Sequence, residues 1–154
     1  MTGTSHPSFP ARISSGWRIG IVHSSFYPEV VSELVKGAQQ VLRDAGIAPG
    51  NVRTYPVSGS FEIPLIGAAL IKEKEVDALI GLGVIVEGET HHARLIAEQT
   101  ARGIMDLQVR HLTPFAFEIL YVHSLEQARA RLRHGAQAAH TVLHSLAQLS
   151  PLHS

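Results

Sequence analysis

The stretch that decides the fold is VDALIGLGVIVEGETHHARL, which covers residues 76–95. Residues 76–86 are almost uninterrupted in apolar side chains, as is typical of a strand that is covered on both faces. Helical spacing of apolar residues begins directly after a glycine, a threonine and two histidines. We therefore expect a central strand at residues 76–86, followed by a short polar turn and a helix.

The rest of the chain repeats this change from a strand pattern to a helix pattern. Apolar, β-branched runs predict three more strands, at residues 17–24, 52–57 and 115–122. Helical spacing predicts helices from Pro28 to Gly46, over 61–74, from His92 onward, over 125–133 and over 136–149, the last two separated by Gly135. One face of the helix after His92 is apolar: Ala93, Ile96, Ala97, Ala101, Ile104 and Met105. Since no Asn-Gly or Asp-Gly hairpin turn occurs, the pattern predicts an α/β fold with a four-stranded parallel sheet between helices.

Length, charge and composition limit the function classes. A chain of 154 residues can bury one core, so we expect a single domain over residues 17–154 after a flexible polar arm at 1–16. Thirteen Lys and Arg balance thirteen Asp and Glu, which argues against nucleic-acid and membrane partners. The absence of cysteine excludes disulfides and thiolate chemistry. No secretory signal is visible and no apolar run reaches the roughly 18 residues of a membrane span, so we expect a cytoplasmic protein.

The carboxyl ends of the four predicted strands carry polar and aromatic residues. The segments there are SSFYP, SGSFE, EGETHH and YVHSLEQ. Parallel sheets place their binding sites at this edge, and the helix starts that follow present N–H groups that bind anions. Phe26 and Phe117 end or interrupt strands near the same edge, where their rings could hold a planar heterocycle.

The turn between Gly88 and His92 is a candidate phosphate site. Glycine permits close backbone approach, the Thr90 hydroxyl can cap the helix or bind an oxyanion, and His92 supplies an imidazole, a group that can transfer protons near neutral pH. Taken alone, the same residues more often form a capped helix with a surface histidine. The pairs His91-His92 and His140-x-x-x-His144 also raise the possibility of a metal site, but neither comes with an identifiable third ligand.

Four segments together resemble one enzyme family. They are the aromatic Phe26 after the first strand, SGSFEIP at 58–64, GVIVEGETHH at 83–92 and LEQARAR at 125–131. In order and spacing they are similar to the aromatic, PGAFEIP, GVIRGxTxH and IEQAxxR segments of the 6,7-dimethyl-8-ribityllumazine synthase family.

The resemblance implies a flavodoxin-like three-layer sandwich and a transferase of riboflavin biosynthesis that needs no metal and no organic cofactor. It implies that a ribitylaminouracil condenses with a butanone phosphate in sites between the subunits of pentamers, which in many members form an icosahedral shell. A candidate protein partner is riboflavin synthase. By position, the implied substrate-binding residues are Phe26, Ser60, Phe61, Glu62, Val84, Ile85 and Val86, with Phe117 from an adjacent chain. His92 is the implied proton-transfer residue, and the implied phosphate ligands are Glu89, Thr90 and, from the adjacent chain, Arg131.

Several residues depart from the family pattern. Glu87 stands where many members have a basic residue, Glu118 stands where glycine is common, and the lysine-containing loop after Arg131 is shortened to LRHGAQAAH. A second phosphate cation is therefore missing, unless Arg133 or His134 replaces it. These departures keep open an alternative: a weakly active or inactive paralogue that binds a ribityl-pteridine or flavin, or that builds a shell.

Overall fold

The computed structural model describes residues 8–88 and 91–153. The four strands are β1 (Ile19–Ser24), β2 (Val52–Val57), β3 (Ala78–Val86) and β4 (Phe115–Val122). The α-helices are α1 (Pro28–Asp44), α2 (Ile63–Lys72), α3 (His92–His111), α4 (Leu125–Arg129) and α5 (Arg133–Leu149). Glu89 and Thr90, between β3 and α3, lie outside the described residues.

The four strands form one parallel sheet in the order β2-β1-β3-β4. β3 lies between β1 and β4, and eight of its nine residues are buried, as expected for a strand with helices on both faces. Helices α1 and α5 cover one face of the sheet, and α2 and α3 cover the other. The predicted fold class is therefore confirmed. None of the helices in the described part of the chain is long and apolar enough to cross a membrane.

The prediction that Gly135 separates the last two helices is wrong. Gly135 lies inside α5, and the break between α4 and α5 falls at residues 130–132. A Cβ at Gly135 would overlap the Leu34 carbonyl oxygen, so glycine is required here because the backbones of α1 and α5 approach each other closely.

The apolar face predicted for α3 is only partly correct. Ala97, Thr100 and Ile104 are buried, whereas Met105 is 56% exposed. The buried positions follow helical spacing along one narrow stripe, and Met105 lies about 100° around the helix from Ile104.

Candidate active site

The carboxyl edge of the sheet contains a cavity of about 710 Å³. Its walls come from the turn after β1, the turn after β2, the end of β3 and the first two turns of α3. It lies on the α2–α3 side of the sheet, where the helices leave the strand ends uncovered.

Most of the predicted site residues meet at this cavity. Those that line it are Phe26, Ser60, Phe61, Glu62, Val84, Ile85, Val86 and His92. The predicted phosphate ligands Glu89 and Thr90 lie outside the described residues. Phe117 and Arg131 do not line the cavity of their own chain. Arg131 is exposed in the turn between α4 and α5, where its N–H donates to the Ala128 carbonyl at 2.9 Å.

Phe117 does not lie at the carboxyl edge, so that part of the sequence interpretation is wrong. It is the third residue of β4 and pairs with Gly81, well before the strand ends at Val122. Its ring is 38% exposed on the outer strand of the sheet.

Phe26 presents its ring to the cavity and is 61% exposed. The ring lies directly over Gly59, since a Cβ there would come within 3.2 Å of Phe26 Cε2. The Phe26 N–H donates to Ser24 Oγ at 3.1 Å, and Ser25 donates its N–H and its hydroxyl to the Val57 carbonyl at 2.9 and 2.7 Å. These bonds join the turns after β1 and β2 and fix the ring between them.

The turn after β2 contributes two polar residues to the cavity wall, Ser60 and Glu62. One Glu62 carboxylate oxygen accepts the Gly59 N–H at 2.9 Å, which closes a short 3₁₀ turn ahead of α2. The Ser60 hydroxyl is buried and has no hydrogen-bond partner among the described residues. It lies so close to β3 that a Cβ at Gly83 would come within 2.5 Å of it. A buried hydroxyl without a partner is costly, and such groups mark sites where a ligand atom can complete the bonding.

His92 is the first residue of α3 and borders the cavity. The first N–H groups of a helix have no partner within the helix and favour nearby negative charge. The His91 side chain does not cap these groups, and the cap predicted for Thr90 falls outside the described residues. An imidazole and the N-terminus of α3 therefore share one corner of the cavity.

Glu87 is turned away from the cavity. Its carboxylate contacts His123 Nδ1 at 2.7 Å and accepts the Tyr121 hydroxyl at 3.1 Å, and its N–H donates to the Val122 carbonyl at 2.8 Å. Desolvation, followed by the hydrogen bond to Glu87, raises the pKa of Tyr121 above its ordinary value of 10.0. The Glu87 carboxylate therefore contacts the end of β4 and the residue after it, and Glu87 does not line the cavity.

Glu118 and His134, which both belong to the departures from the family pattern, contact each other. His134 Nδ1 lies 2.8 Å from Glu118 Oε2, and both side chains are about three-quarters buried, at 26% and 25% exposure. The candidate substitute cation His134 is therefore already paired with a carboxylate. Sequence reasoning missed this pair because the two residues are distant in sequence and no motif links them.

Tyr27 is a cavity residue that the sequence analysis missed. Its backbone is left-handed, with φ 54° and ψ 57°, which costs a non-glycine residue roughly 1–2 kcal/mol. The available signal was its place between the exposed aromatic Phe26 and Pro28, where a turn had to form. Gln99, on the second turn of α3, was missed as well.

The histidine pair on α5 contacts the segment that precedes β1. Phe9 stacks on His140 with ring centroids 5.2 Å apart, and His144 Nε2 donates to the Ser8 carbonyl at 2.7 Å. Across residues 8–88 and 91–153, no three His, Asp or Glu side chains are grouped so that they could hold a metal ion.

The fold and the cavity define an α/β protein with a small-molecule site at the carboxyl edge of a parallel sheet. Comparison with known proteins identifies the family within this class. Residues 16–150 match the 6,7-dimethyl-8-ribityllumazine synthase family, to which the chain belongs. The predicted resemblance to this enzyme family is confirmed.

Curated relatives that carry this family name are similar over most of their length. The 6,7-dimethyl-8-ribityllumazine synthase of Limosilactobacillus reuteri (strain DSM 20016) is 38% identical over 134 residues, which cover 86% of this chain and 87% of the relative. The protein of the same name from Xanthobacter autotrophicus (strain ATCC BAA-1158 / Py2) is 39% identical over 141 residues, covering 83% and 84% of the two chains.

Proposed function

We propose that this chain condenses 5-amino-6-(D-ribitylamino)uracil with 3,4-dihydroxy-2-butanone 4-phosphate. The products are 6,7-dimethyl-8-ribityllumazine, phosphate and water, so the chain is a transferase of riboflavin biosynthesis. The observation that carries the proposal is that a stacking ring, a carboxylate, a buried hydroxyl and an imidazole, supplied by Phe26, Glu62, Ser60 and His92, border one cavity. Family membership supports the same reaction.

The first task is to hold the pyrimidine and its ribityl chain. The exposed face of Phe26 offers a stacking surface of the size of a single heterocycle, and Val84, Ile85 and Val86 supply an apolar floor. Glu62 has one carboxylate oxygen beyond the one that binds Gly59, and it can accept hydrogen bonds from a polyol. Ser60 and the backbone around Phe61 can meet polar atoms at the ring edge.

The second task is proton transfer. The 5-amino group attacks the ketone and a first water leaves as an imine forms. Phosphate then leaves by elimination. The ribitylamino nitrogen attacks the remaining carbonyl, and a second water leaves as the ring closes. Each step moves a proton, and one imidazole can serve them in turn, because it can accept and donate near neutral pH. We assign this role to His92, which borders the cavity at the start of α3.

The third task is to stabilise the departing phosphate. The N-terminus of α3 is suited to an anion, and Glu89 and Thr90 precede it in the chain. We further assign Arg131 of an adjacent copy to the phosphate, because a guanidinium binds phosphate oxygens in a bidentate manner. The exposure of Arg131 leaves it available for this contact.

The fourth element of the proposal is an assembly of pentamers with sites between subunits. Phe26, Phe61 and Leu95 border the cavity and are more than half exposed, which supports coverage by another chain. Phe117 of an adjacent copy would cover the stacked ring. Closure of pentamers into an icosahedral shell, association with riboflavin synthase and a cytoplasmic location belong to the same proposal.

The experiment is to mix purified protein with both substrates and to follow lumazine absorption and fluorescence together with phosphate release. Formation of both products well above the uncatalysed rate supports the proposal. Tight binding of the lumazine without turnover would select the inactive-paralogue alternative. The solution mass, measured on the same sample, tests the pentameric assembly separately from the chemistry.

A further inference from the structure

We infer that Tyr27 is a positioning residue, whose left-handed backbone conformation holds the neighbouring Phe26 ring in the orientation that stacks on the substrate. The inference rests on the proposed function, because it assigns Tyr27 a task in binding the pyrimidine. It concerns a residue that carries no predicted role in the site.

The conformation of Tyr27 is unfavourable for more than one local reason. Left-handed φ and ψ are disfavoured for a residue with a Cβ, and the next residue is Pro28, whose ring favours extended conformations at the preceding position. Tyr27 also occupies the N-cap of α1 and makes no side-chain cap hydrogen bond there. A residue such as asparagine would satisfy the cap and tolerate the left-handed region better.

The other non-glycine residues with positive φ in the described part of the chain have an ordinary explanation. Lys74 follows the end of α2, and Leu112 is the C-cap of α3. Left-handed residues commonly end helices. Tyr27 differs because it stands at the beginning of a helix and beside the candidate site, which is where backbone strain is most often retained for function.

Contacts on both sides of residue 27 hold this conformation. The Tyr27 ring is half-buried against the core between α1, α5 and the sheet, and its carbonyl accepts the N–H groups of Val30 and Val31 at 3.1 and 3.0 Å. On the other side, Phe26 is attached through its N–H to Ser24 Oγ and rests on Gly59. The dihedral angles at Tyr27 therefore set the direction of the Phe26 ring relative to α1.

A relaxed residue 27 would redirect the chain between β1 and α1. Phe26 would then lose its packing contact with Gly59, and the substrate would have to reorder the ring on binding. If the Phe26 ring is already oriented before binding, this cost is avoided. The substrate should then bind more tightly in the ground state, while the rate of the chemical step changes little.

Three substitutions separate the backbone conformation from the side chain. Tyr27→Phe keeps the ring and removes only the hydroxyl. Tyr27→Asn removes the ring but accepts the left-handed conformation and can cap α1. Tyr27→Ala removes the ring, tolerates the conformation poorly and cannot cap. Each variant is assayed for KM of the ribitylaminouracil, for kcat, and for the dissociation constant of 6,7-dimethyl-8-ribityllumazine by fluorescence titration.

We expect Tyr27→Phe to behave like the parent chain and Tyr27→Ala to raise KM and the dissociation constant about tenfold, with kcat changed by less than about threefold. Tyr27→Asn should restore most of the affinity. Equal losses in the Asn and Ala variants would assign the effect to the ring and overturn the inference, as would an unchanged Ala variant.

A readout that does not depend on turnover separates this inference from the proposed function. We would place para-fluorophenylalanine at position 26 and record its fluorine NMR shift in each variant. The Tyr27 ring centroid lies 6.4 Å from that of Phe26, so the Phe variant is compared with the parent chain, and the Asn and Ala variants, which both lack that ring, are compared with each other. The inference requires a parent-like shift in the Phe variant, one sharp resonance in the Asn variant, and a resonance in the Ala variant that is displaced or broadened relative to the Asn variant. Identical resonances in the Asn and Ala variants would refute it even if the enzyme were active, whereas an inactive parent chain with the expected shifts would refute only the reaction.

Discussion

The two faces of the sheet differ in how completely their helices close over the core. On the α1–α5 face, the helices touch through Gly135 and Leu34, and a continuous buried cluster extends from Ile19 to Leu146. On the α2–α3 face, the buried cluster is smaller, and the edge beside it opens into the cavity with exposed aromatic rings. We infer that the closed α1–α5 face supplies stability, and that the edge beside the other face can therefore keep exposed apolar surface and a buried hydroxyl that has no partner among the described residues.

The largest effect should come from the closed face. Gly135→Ala places a methyl group on the Leu34 carbonyl oxygen, so α1 and α5 must separate. We expect a loss of about 3 kcal/mol or more in the free energy of unfolding, measured by urea denaturation. Gly37→Ala is the matched control, because its Cβ would lie 3.4 Å from the nearest atom of α5. That variant should be neutral or more stable by up to about 1 kcal/mol, and similar losses in both would contradict the close-contact explanation.

On the open face, His92→Ala should slow turnover by roughly a hundredfold, which corresponds to about 2.7 kcal/mol in the activation barrier. The free energy of unfolding should change little, because His92 is exposed. His91→Ala provides the control, since that side chain is exposed and does not line the cavity. If the two variants have equal kcat values, His92 has no role in proton transfer.

Ser60 offers a test in which stability and binding should change in opposite directions. Ser60→Ala removes a buried hydroxyl without a protein partner, so the free energy of unfolding should rise by about 1 kcal/mol while KM for the ribitylaminouracil increases. Ser24→Ala should lower stability by about 1 kcal/mol, because Ser24 Oγ accepts the Phe26 N–H. Thermal unfolding and steady-state kinetics on both variants would decide. A destabilised Ser60→Ala protein would mean that the hydroxyl is already satisfied without substrate.

The smallest expected effect concerns the segment before β1, which packs on α5 through Ser8 and Phe9. The stability of this packing should depend on pH. Desolvation, with a smaller contribution from His144, lowers the pKa of His140 below its ordinary value of 6.5. The neutral ring is therefore favoured in the docked state, so docking of Phe9 is fully stabilised above pH 6.5 and weakens as the pH falls below it. His144 keeps its Nε2 hydrogen when protonated, so its bond to Ser8 persists.

Trypsin cleavage after Arg12, normalised to the cleavage of a free peptide of the same sequence at the same pH, measures this effect between about pH 7.5 and about pH 5.5. The cleavage rate should rise on the acidic side in the parent chain and stay nearly constant in His140→Phe, which keeps a stacking ring that does not titrate. Equal acid sensitivity in both proteins would exclude His140 as the cause.

The fold could be predicted because its signals are local. The apolar run that became β3 has to be covered on both faces, and this places it inside a parallel sheet. Most of the cavity wall was predictable for a related reason: the ends of parallel strands meet at one edge, so Phe26, Ser60 and Val84 had to lie near one another.

The errors and omissions, in contrast, concern contacts between residues that are distant in the sequence. Glycine in a helical pattern predicts a break, but at Gly135 the proximity of α1 imposes glycine within α5. The Glu87–His123 and Glu118–His134 contacts join residues that no spacing rule connects. The division into an arm at 1–16 and a domain at 17–154 stays a prediction. The roles of all the site residues, including His92, Phe117 and Arg131, stay predictions as well.

By itself, the amino-acid sequence determined the alternation of strands and helices, the central position of residues 76–86 and the chemical groups that reach the carboxyl edge. Hydrophobic periodicity and chain connectivity are enough for this, because both act over a few residues. Only the tertiary structure decided which face of the sheet is closed, which side chains the carboxylates of Glu87 and Glu118 contact, and that Tyr27 adopts a strained conformation beside Phe26. These features depend on atoms brought together from distant parts of the chain, and their free energies arise only when the packed core holds them in place.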